Sequence, residues 1–464
     1  MKQRLHIVIL AAGEGRRMKS SLPKVLHRVG GKPMIVHLLE TASSLDPEMI
    51  HVVVGSGAEQ VRQVCGKYDV NWVLQADRRG TGHAVAQAVP AIPDEAHILV
   101  LLGDHPLITA EVLRELIHGP SALLSILTME LEAPRGYGRI ERDRTGRIAG
   151  IVEDRDATPA QWSIREVNTG IILARARELR QWLAQLGCDN SKQEFYLTDI
   201  FAMAHSEGKE IRGLLAPEPL DLQGANDRRQ LACLEQRFRQ RAAKALMAAG
   251  VHILDPLRID VRGHVTAGQD VCIDINVVLE GDIELGDGVL LGPGCVLKDC
   301  QLAAGTVVHA YSVLEGVRTT GACNIGPFAR LRPGTELSSG SRIGNFVEVK
   351  NSRLGENSKA SHLSYIGDTQ VGDRVNIGAG TITCNYDGAN KHQTHIEDDV
   401  FIGSNSQLVA PLTIGKGATI GAGSTIVEDA PADKLTLSRA PQTTVKSWKR
   451  PVKGEKKDGA KREE

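Results

Sequence analysis

With 464 residues, 42% of them hydrophobic, the chain is long enough for two or more domains with sizeable cores. Its 55 lysines and arginines balance 56 aspartates and glutamates, so no global basic field argues for a nucleic-acid partner. The eight cysteines form no CxxC pair, which argues against a disulfide framework or zinc site and fits a reduced cytoplasm. The apolar run in MKQRLHIVILAAG is too short for membrane insertion and reads as a first strand turning at glycine, not as a signal peptide.

From residue 1 to about 228, strands HIVILAAG, IHVVVG, HILVLLGD and TGIILA alternate with helical stretches such as MIVHLLETASSL and ITAEVLRELIHG. This pattern predicts an α/β domain with a largely parallel sheet. Its ligands should gather beyond the carboxyl ends of the strands, where LAAGEGRRM and LLGD stand. The turn Gly13-Glu14-Gly15 lacks a third glycine at the dinucleotide spacing and lacks the GK[ST] of a Walker loop. Backbone N–H groups of such a turn can still hold phosphate, with Arg16, Arg17 and Lys24 as cations; a tight turn with surface basic residues is the alternative. Residues 229–249 continue as a helix that links to the second half of the chain, with Leu231, Leu234, Phe238, Ala242 and Leu246 on one face.

From residue 250 small aliphatics recur every six positions. They fall at Ile259, Val265, Val271, Val277, Ile283, Val289 and Cys295, slip at Gln301, and resume at Val307 and Val313. The count continues at Ile325, Leu331, Leu337, Ile343 and Val349, at Val371, Ile377 and Thr383, and from Ile396 through Ile402, Leu408, Ile414, Ile420 and Ile426. Neither helical periodicity nor strand alternation keeps one residue type at this interval, so the stretch is a repeat architecture, a triangular parallel β-helix with coils of roughly eighteen residues. Between Thr383 and Ile396 the count is broken by CNYDGANKHQTH, too polar for an aliphatic core; it is either a surface loop or a functional excursion. The last residues, 446–464, form a mixed charge run that reads as a solvated, disordered tail.

LAAGEGRRM, LPKVL, QADRRGTGHA, LLGDHPLI, GYGRI, IVED, VNTGI and GAND resemble, in order, the motifs of sugar-nucleotide pyrophosphorylases. Together with RPG, VEVKNS, SHLSYIGD and NIGAGTITCNYDG behind them, the chain resembles the bacterial family that joins N-acetylglucosamine-1-phosphate uridylyltransferase to glucosamine-1-phosphate N-acetyltransferase. The resemblance covers nearly everything but the tail. It implies a Rossmann-like nucleotidyltransferase domain with a mixed sheet over 1–228, and a left-handed parallel β-helix of hexapeptide repeats over 250–445 that carries the acetyltransferase and assembles as a homotrimer. It implies that UTP and the sugar are held by Leu10, Ala11, Ala12, Gly13, Gln75, Gly80, Thr81, Leu102, Gly103, Asp104, Gly138, Glu153, Asn168 and Asn226, with Arg17 and Lys24 neutralising the triphosphate. Asp104 and Asn226 would bind Mg²⁺. Asp104 is a hard oxygen donor at a strand's carboxyl end, and Thr109 is a better cap than Asp104 for the following helix; for Asn226, capping the next helix is an equally open reading.

For acetyl transfer the resemblance assigns Arg332, Lys350, Tyr365 and Asn376 to the sugar phosphate and His362 as the base, with Glu348 either orienting the histidine or binding the amine. Ala379, Asn385, Tyr386, Ser404, Ala422 and Arg439 would contact acetyl-CoA, which turns the polar excursion into an arm that builds the acyl-transfer site and reaches a neighbouring chain. The products would supply peptidoglycan and lipopolysaccharide synthesis. Two other readings are a single-activity sugar-phosphate nucleotidyltransferase with a structural or regulatory β-helix, which should lack His362 and NYDG, and a non-catalytic scaffold, which should lack Asp104 and Lys24. All four features are present.

Overall fold

The computed structural model describes residues 4–120, 122–450 and 453. Of the expected tail, residues 446–450 are exposed, and 451, 452 and 454–464 lie outside the described residues. The chain divides into two compact units, Met1–Tyr311 and Ser312–Glu464. No helix among the described residues is long and apolar enough to cross a membrane.

The first unit begins with β1 (Leu5–Ala11), α1 (Met34–Ser43), β2 (Met49–Val54), α2 (Ala58–Cys65), β3 (Asn71–Leu74), α3 (Thr81–Ala88), β4 (His97–Leu102), α4 (Ala110–His118) and β5 (Leu124–Glu130). It continues through β6 (Arg139–Arg142), β7 (Ile148–Val152), β8 (Glu166–Arg175), α5 (Ala176–Gln185), α6 (Asp199–Ser206), β9 (Ile211–Leu215) and α7 (Arg228–Ala248). The main sheet runs β3-β2-β1-β4-β8-β5-β9, with β6 and β7 to the side. β1 is flanked by parallel neighbours, while β8 runs antiparallel between β4 and β5, so the sheet is mixed. Alternate residues of β1 serve opposite faces: Ile7 and Ile9 join Leu38, Val52 and Leu101, and Val8 joins Val85, Val100 and Phe201. Both faces being covered, these strands read as continuous apolar runs.

The chain leaves β1 through Gly15, whose φ of 64° is left-handed and whose added Cβ would fall 2.7 Å from Cβ of Lys24. Glycine there lets Lys24 approach the turn. α7 buries Leu234, Ala243 and Leu246, and the ring of Phe238 fills the space above Gly30. The apolar face was expected to pass through Ala242; its neighbour Ala243 is the one fully buried, and Ala242 is half-buried. α7 also packs on the strand Ile259–Ala267, so the first hexapeptide coils belong to the same compact unit as the sheet.

Those first coils pair in parallel, Ile259↔Val277 through Ala267↔Leu285. Val271, Val277, Ile283, Val289 and Cys295 point inward as the count requires, whereas Val265 is only half-buried. The slip at Gln301 has a structural cause. Val278 pairs with Val296, but Ile283 pairs with Cys300, one residue short of the earlier spacing, so the ladder shifts between them. Cys300, Leu302 and Val308 are therefore buried, and the expected Val307 is displaced to a half-buried position. In the second unit Leu314 is likewise buried in place of the expected Val313.

The second unit stacks its inward residues in three columns. One is Ile325, Ile343, Ala360, Ile377, Ile402 and Ile420; another is Leu331, Val349, Ile366, Thr383, Leu408 and Ile426; the third is Leu337, Leu354, Val371, Ile396 and Ile414. Each Ile, Leu or Val in these columns contributes about 1.5–3 kcal/mol by its burial. Thr383 is the polar member, and its hydroxyl is satisfied by Gly367, accepting from N at 2.8 Å and donating to O at 3.2 Å. The ladder resumes past the polar excursion with Val371↔Ile396. The excursion is thus accommodated by lengthening one coil, without disturbing the stack.

Ile402, fully buried in the first column, should cost about 2–5 kcal/mol of stability when changed to alanine, measured by urea unfolding. A second expectation concerns β1 and β2. Asn71 Nδ2 donates to His51 Nδ1 (2.9 Å), so His51 carries its proton on Nε2 and donates to His6 Nδ1 (3.1 Å). Burial, with His6 alongside, pushes the His51 pKa down to about 4, while an unfolded histidine titrates near ~6.5. The folded form is favoured fully above the unfolded value and loses up to about 3 kcal/mol as the pH falls toward about 4, because the unfolded chain takes up the proton first. Urea unfolding between pH 7 and pH 4.5 should show a decline, and His51→Gln should make it shallower, leaving the share of His6, His27, His37, His97 and His105, whose pKa values burial also lowers.

Candidate active sites

In the first unit the carboxyl ends of β1, β3 and β4 open onto a cavity of about 1100 Å³. Its wall includes Leu10, Ala11, Ala12, Gly13, Lys24, Gln75, Gly80, Thr81, Leu102, Asp104, Gly138, Glu153, Asn168 and Asn226, all expected from the sequence. Gly103 stands just behind, its N–H donating to Leu10 O (2.9 Å). Of the two turn arginines, Arg16 lines the cavity; Arg17 is exposed and is not among the lining residues. Glu14 ties Arg16 and Arg78 together at this wall.

Within the cavity one cation lies between two oxygens. Lys24 Nζ donates to Asp104 Oδ2 (2.7 Å) and to Asn226 Oδ1 (3.1 Å). Burial opposes the charge on Asp104, but the Lys24 ammonium and His105 outweigh it and hold the carboxyl below its usual range. Asn226 is therefore not the cap of α7. Asp227 caps it, accepting from Gln230 N (2.9 Å), and the Asn226 side chain is left for the cavity. Two hard oxygens converging on one cation position fit Mg²⁺, which takes few protein ligands and completes its shell with phosphate and water.

Around the rest of the cavity, Gln75 Nε2 donates to Gly80 O (3.1 Å) and lies 3.1 Å from His83 Nδ1. Thr81 Oγ1 accepts from Leu197 N (3.1 Å), and Asn168 Oδ1 from Gly170 N (2.6 Å). Burial pushes the Glu153 carboxyl up, and Thr198 Oγ1 donates to it (3.1 Å). Thr198, Tyr137 and His105 line the cavity too, and the sequence reading missed them. His105 follows Asp104 directly and could have been suspected; Thr198 reaches the cavity from the far end of the domain and carries no local signal.

The second unit brings the other predicted residues together by stacking. Asn345 pairs in register with His362, and the same corner continues through Ala379, Ser404 and Ala422; Arg439 lies one residue past the register position and joins the corner through its side chain. Asn405 N donates to Ala379 O (2.7 Å), Gly423 N to Ser404 O (2.8 Å), and Arg439 Nη1 to Ala422 O (2.7 Å). Each of the first five is followed by a residue in the left-handed region, namely Phe346, Leu363, Gly380, Asn405 and Gly423, which turns the chain so that the residue before it stands at the edge. Arg439, expected to reach a neighbouring chain, rests here on its own Ala422.

Glu348 was expected to orient His362 or bind the amine. Its partner is Arg332, Nη1 to Oε1 at 2.9 Å, and His362 Nδ1 instead meets Asn345 Oδ1 at 2.8 Å. Glu348 is in register with Tyr365, and the next residue on that edge is Lys350, against which the Lys391 ammonium lies, its pKa lowered by that contact. Asn376 pairs with Lys359 one coil beyond. The excursion itself is a small hairpin. Tyr386 bridges to Lys391, Asp387 Oδ1 accepts from Ala389 N (2.8 Å) and Asn390 N (2.7 Å), and His392 Nε2 lies 2.7 Å from Asp387 Oδ2. Its root is pinned by buried Asp368, which accepts from Asn351 Nδ2 (2.6 Å) and from Asn385. Asn345, Asp368 and Lys391 escaped the sequence reading, although Lys391 lies inside the excursion that drew attention.

Fold and sites define a two-part transferase. Residues 7–126 match the family described as MobA-like NTP transferase domain, and residues 393–428 match bacterial transferase hexapeptide (six repeats). Over the whole length, the chain is similar to three proteins called bifunctional protein GlmU. The one from Stenotrophomonas maltophilia is 54% identical, covering 98% of this chain and 100% of its own. That from Xylella fastidiosa is 53% identical over 97% and 98%, and that from Alkalilimnicola ehrlichii 52% over 97% of each. The chain belongs to this bifunctional GlmU family and is an enzyme.

Gly80 offers a direct check on the cavity wall. Its φ is 111°, and an added Cβ would fall 2.8 Å from Phe195 N and 3.0 Å from Glu194 Cβ. Gly80→Ala should cost about 2–4 kcal/mol in urea unfolding, since both backbone strain and crowding oppose it.

Proposed function

We propose that the chain makes UDP-N-acetylglucosamine in two steps. Acetyl is transferred from acetyl-CoA to glucosamine 1-phosphate, and the resulting N-acetylglucosamine 1-phosphate attacks UTP with release of pyrophosphate. The observation that carries the reading is that one polypeptide holds two polar centres of different chemistry. One is Lys24, Asp104 and Asn226 meeting at the strand ends; the other is the corner column containing His362, with Arg332 and Lys350 in the same unit.

In uridylyl transfer a sugar-phosphate oxygen attacks the α-phosphorus in line, the bond to the bridging oxygen breaks, and pyrophosphate leaves. No protein nucleophile is required; positioning and charge neutralisation suffice. The turn after β1 offers backbone N–H groups to phosphate, Arg17 and Lys24 neutralise the triphosphate, and Gln75, Gly80 and Thr81 hold the base. Leu102 and Gly103 back the nucleotide, while Gly138, Glu153 and Asn168 face the sugar. Asp104 and Asn226 would hold Mg²⁺, which supplies charge neutralisation to the phosphates when bound.

In acetyl transfer the cations of Arg332 and Lys350 take the acceptor phosphate, with Tyr365, Asn376 and Glu348 around the sugar. The amine attacks the thioester carbon, His362 receives the proton, and the carbon–sulfur bond breaks. Ala379, Asn385, Tyr386, Ser404, Ala422 and Arg439 bind acetyl-CoA, and Ser404 donates to the thioester oxygen. We assign residues 1–228 to uridylyl transfer, 250–445 to acetyl transfer, and 229–249 to the helix between them, and place the enzyme in the cytoplasm as a homotrimer.

Purified protein should release pyrophosphate from UTP plus N-acetylglucosamine 1-phosphate, and free thiol from acetyl-CoA plus glucosamine 1-phosphate. Asp104→Asn should lower the first rate by at least about 100-fold and leave the second within about 3-fold. Parallel loss of both rates in a folded Asp104→Asn protein, or absence of either activity in the unaltered chain, would contradict the reading.

A further inference from the structure

His362 is exposed at the end of the strand Lys359–His362, and one of its two ring nitrogens is already committed. In the preceding coil Asn345 ends the strand Arg342–Asn345 at the same register position, so the two side chains stand one strand spacing apart, about 4.8 Å. The approach is close. A Cβ on Gly344 would fall 2.6 Å from the carbonyl carbon of Ser361, so only glycine lets the coils meet this tightly beside the pair. Asn345 is half-buried, between Gly344 and the left-handed corner at Phe346, and its amide oxygen lies 2.8 Å from His362 Nδ1.

An amide oxygen can only accept. The proton of the neutral imidazole therefore resides on Nδ1, and Nε2 keeps its lone pair; an amide nitrogen in that place would force the opposite tautomer and remove the base. We propose that Asn345 is the positioning residue of the acetyl-transfer base, setting both the tautomer and the ring orientation of His362. This rests on the acetyl-transfer reading given above. The amine nitrogen forms its bond to the thioester carbon and passes its proton to Nε2. The carbon–sulfur bond breaks, and the departing sulfur takes a proton back from the imidazolium, whose Nδ1–H remains held by Asn345 throughout. The Glu348 carboxylate is engaged by Arg332 (2.9 Å), while the His362 Nδ1 position is taken by the Asn345 amide.

The test uses the full chain with Asn345→Ala and Asn345→Asp, each checked for unaltered thermal unfolding, and reads kcat and KM for acetyl transfer to glucosamine 1-phosphate. Asn345→Ala should lower kcat by about 10–100-fold with both KM values within about 3-fold. Asn345→Asp, which still presents an oxygen acceptor, should recover at least about a third of the kcat. An Asn345→Ala enzyme with the full kcat overturns the proposal, as does a loss confined to KM or a loss that aspartate does not relieve. If the unaltered chain performs no acetyl transfer, the functional reading itself falls and this inference falls with it, an outcome separate from an active parent with indifferent variants.

Discussion

Everything in the second unit depends on the stacking of one coil on the next at strand spacing. Because inward aliphatics must lie above one another to be buried, a residue's place in one coil dictates what stands above and below it. The corner column from Asn345 to Ala422 arises from that constraint. Residues far apart in the chain become neighbours without any being in the hydrophobic core, and the left-handed residue after each of the five keeps the corner in place. A coil one residue short is tolerated, as between Val296 and Cys300 in the coils of the first unit, and so is the inserted hairpin of the second, because inward residues stay paired on either side.

The first unit solves a different problem. A sheet covered on both faces leaves its strand ends as the natural place for a ligand, and there the chain concentrates charge. Lys24 between Asp104 and Asn226 draws together residues from the two ends of the domain, since Asn226 precedes α7. A buried carboxylate needs such a partner, and the same oxygens suit a divalent cation.

The range of each interaction decides how far the sequence reveals it. The strands β1, β2, β4 and β8 and the helices α1 and α4 were legible because covered strands are apolar runs and the helices show their period. The hexapeptide count placed Cys295 and Ile402 inward, but a six-residue ruler cannot register a coil one residue short, which displaced Val307 and Val313. The cavity residues came from motifs, and the structure gathers nearly all of them. Their partners did not: the choice of Asp227 over Asn226 as helix cap, of Arg332 as the partner of Glu348, and of Asn345 beside His362 depends on side-chain geometry across coils or domains. Nothing local in GNFVE announces that its asparagine will lie under a histidine seventeen positions later.

The central claim is that the corner column is an acyl-donor site. Structure determination of the protein with acetyl-CoA bound tests it most directly. The thioester should lie beside His362 Nε2, with the rest of the molecule along Ala379, Ser404 and Ala422 and its phosphates near an Arg439 guanidinium. Acetyl-CoA seated on another face of the β-helix, away from His362, would contradict it.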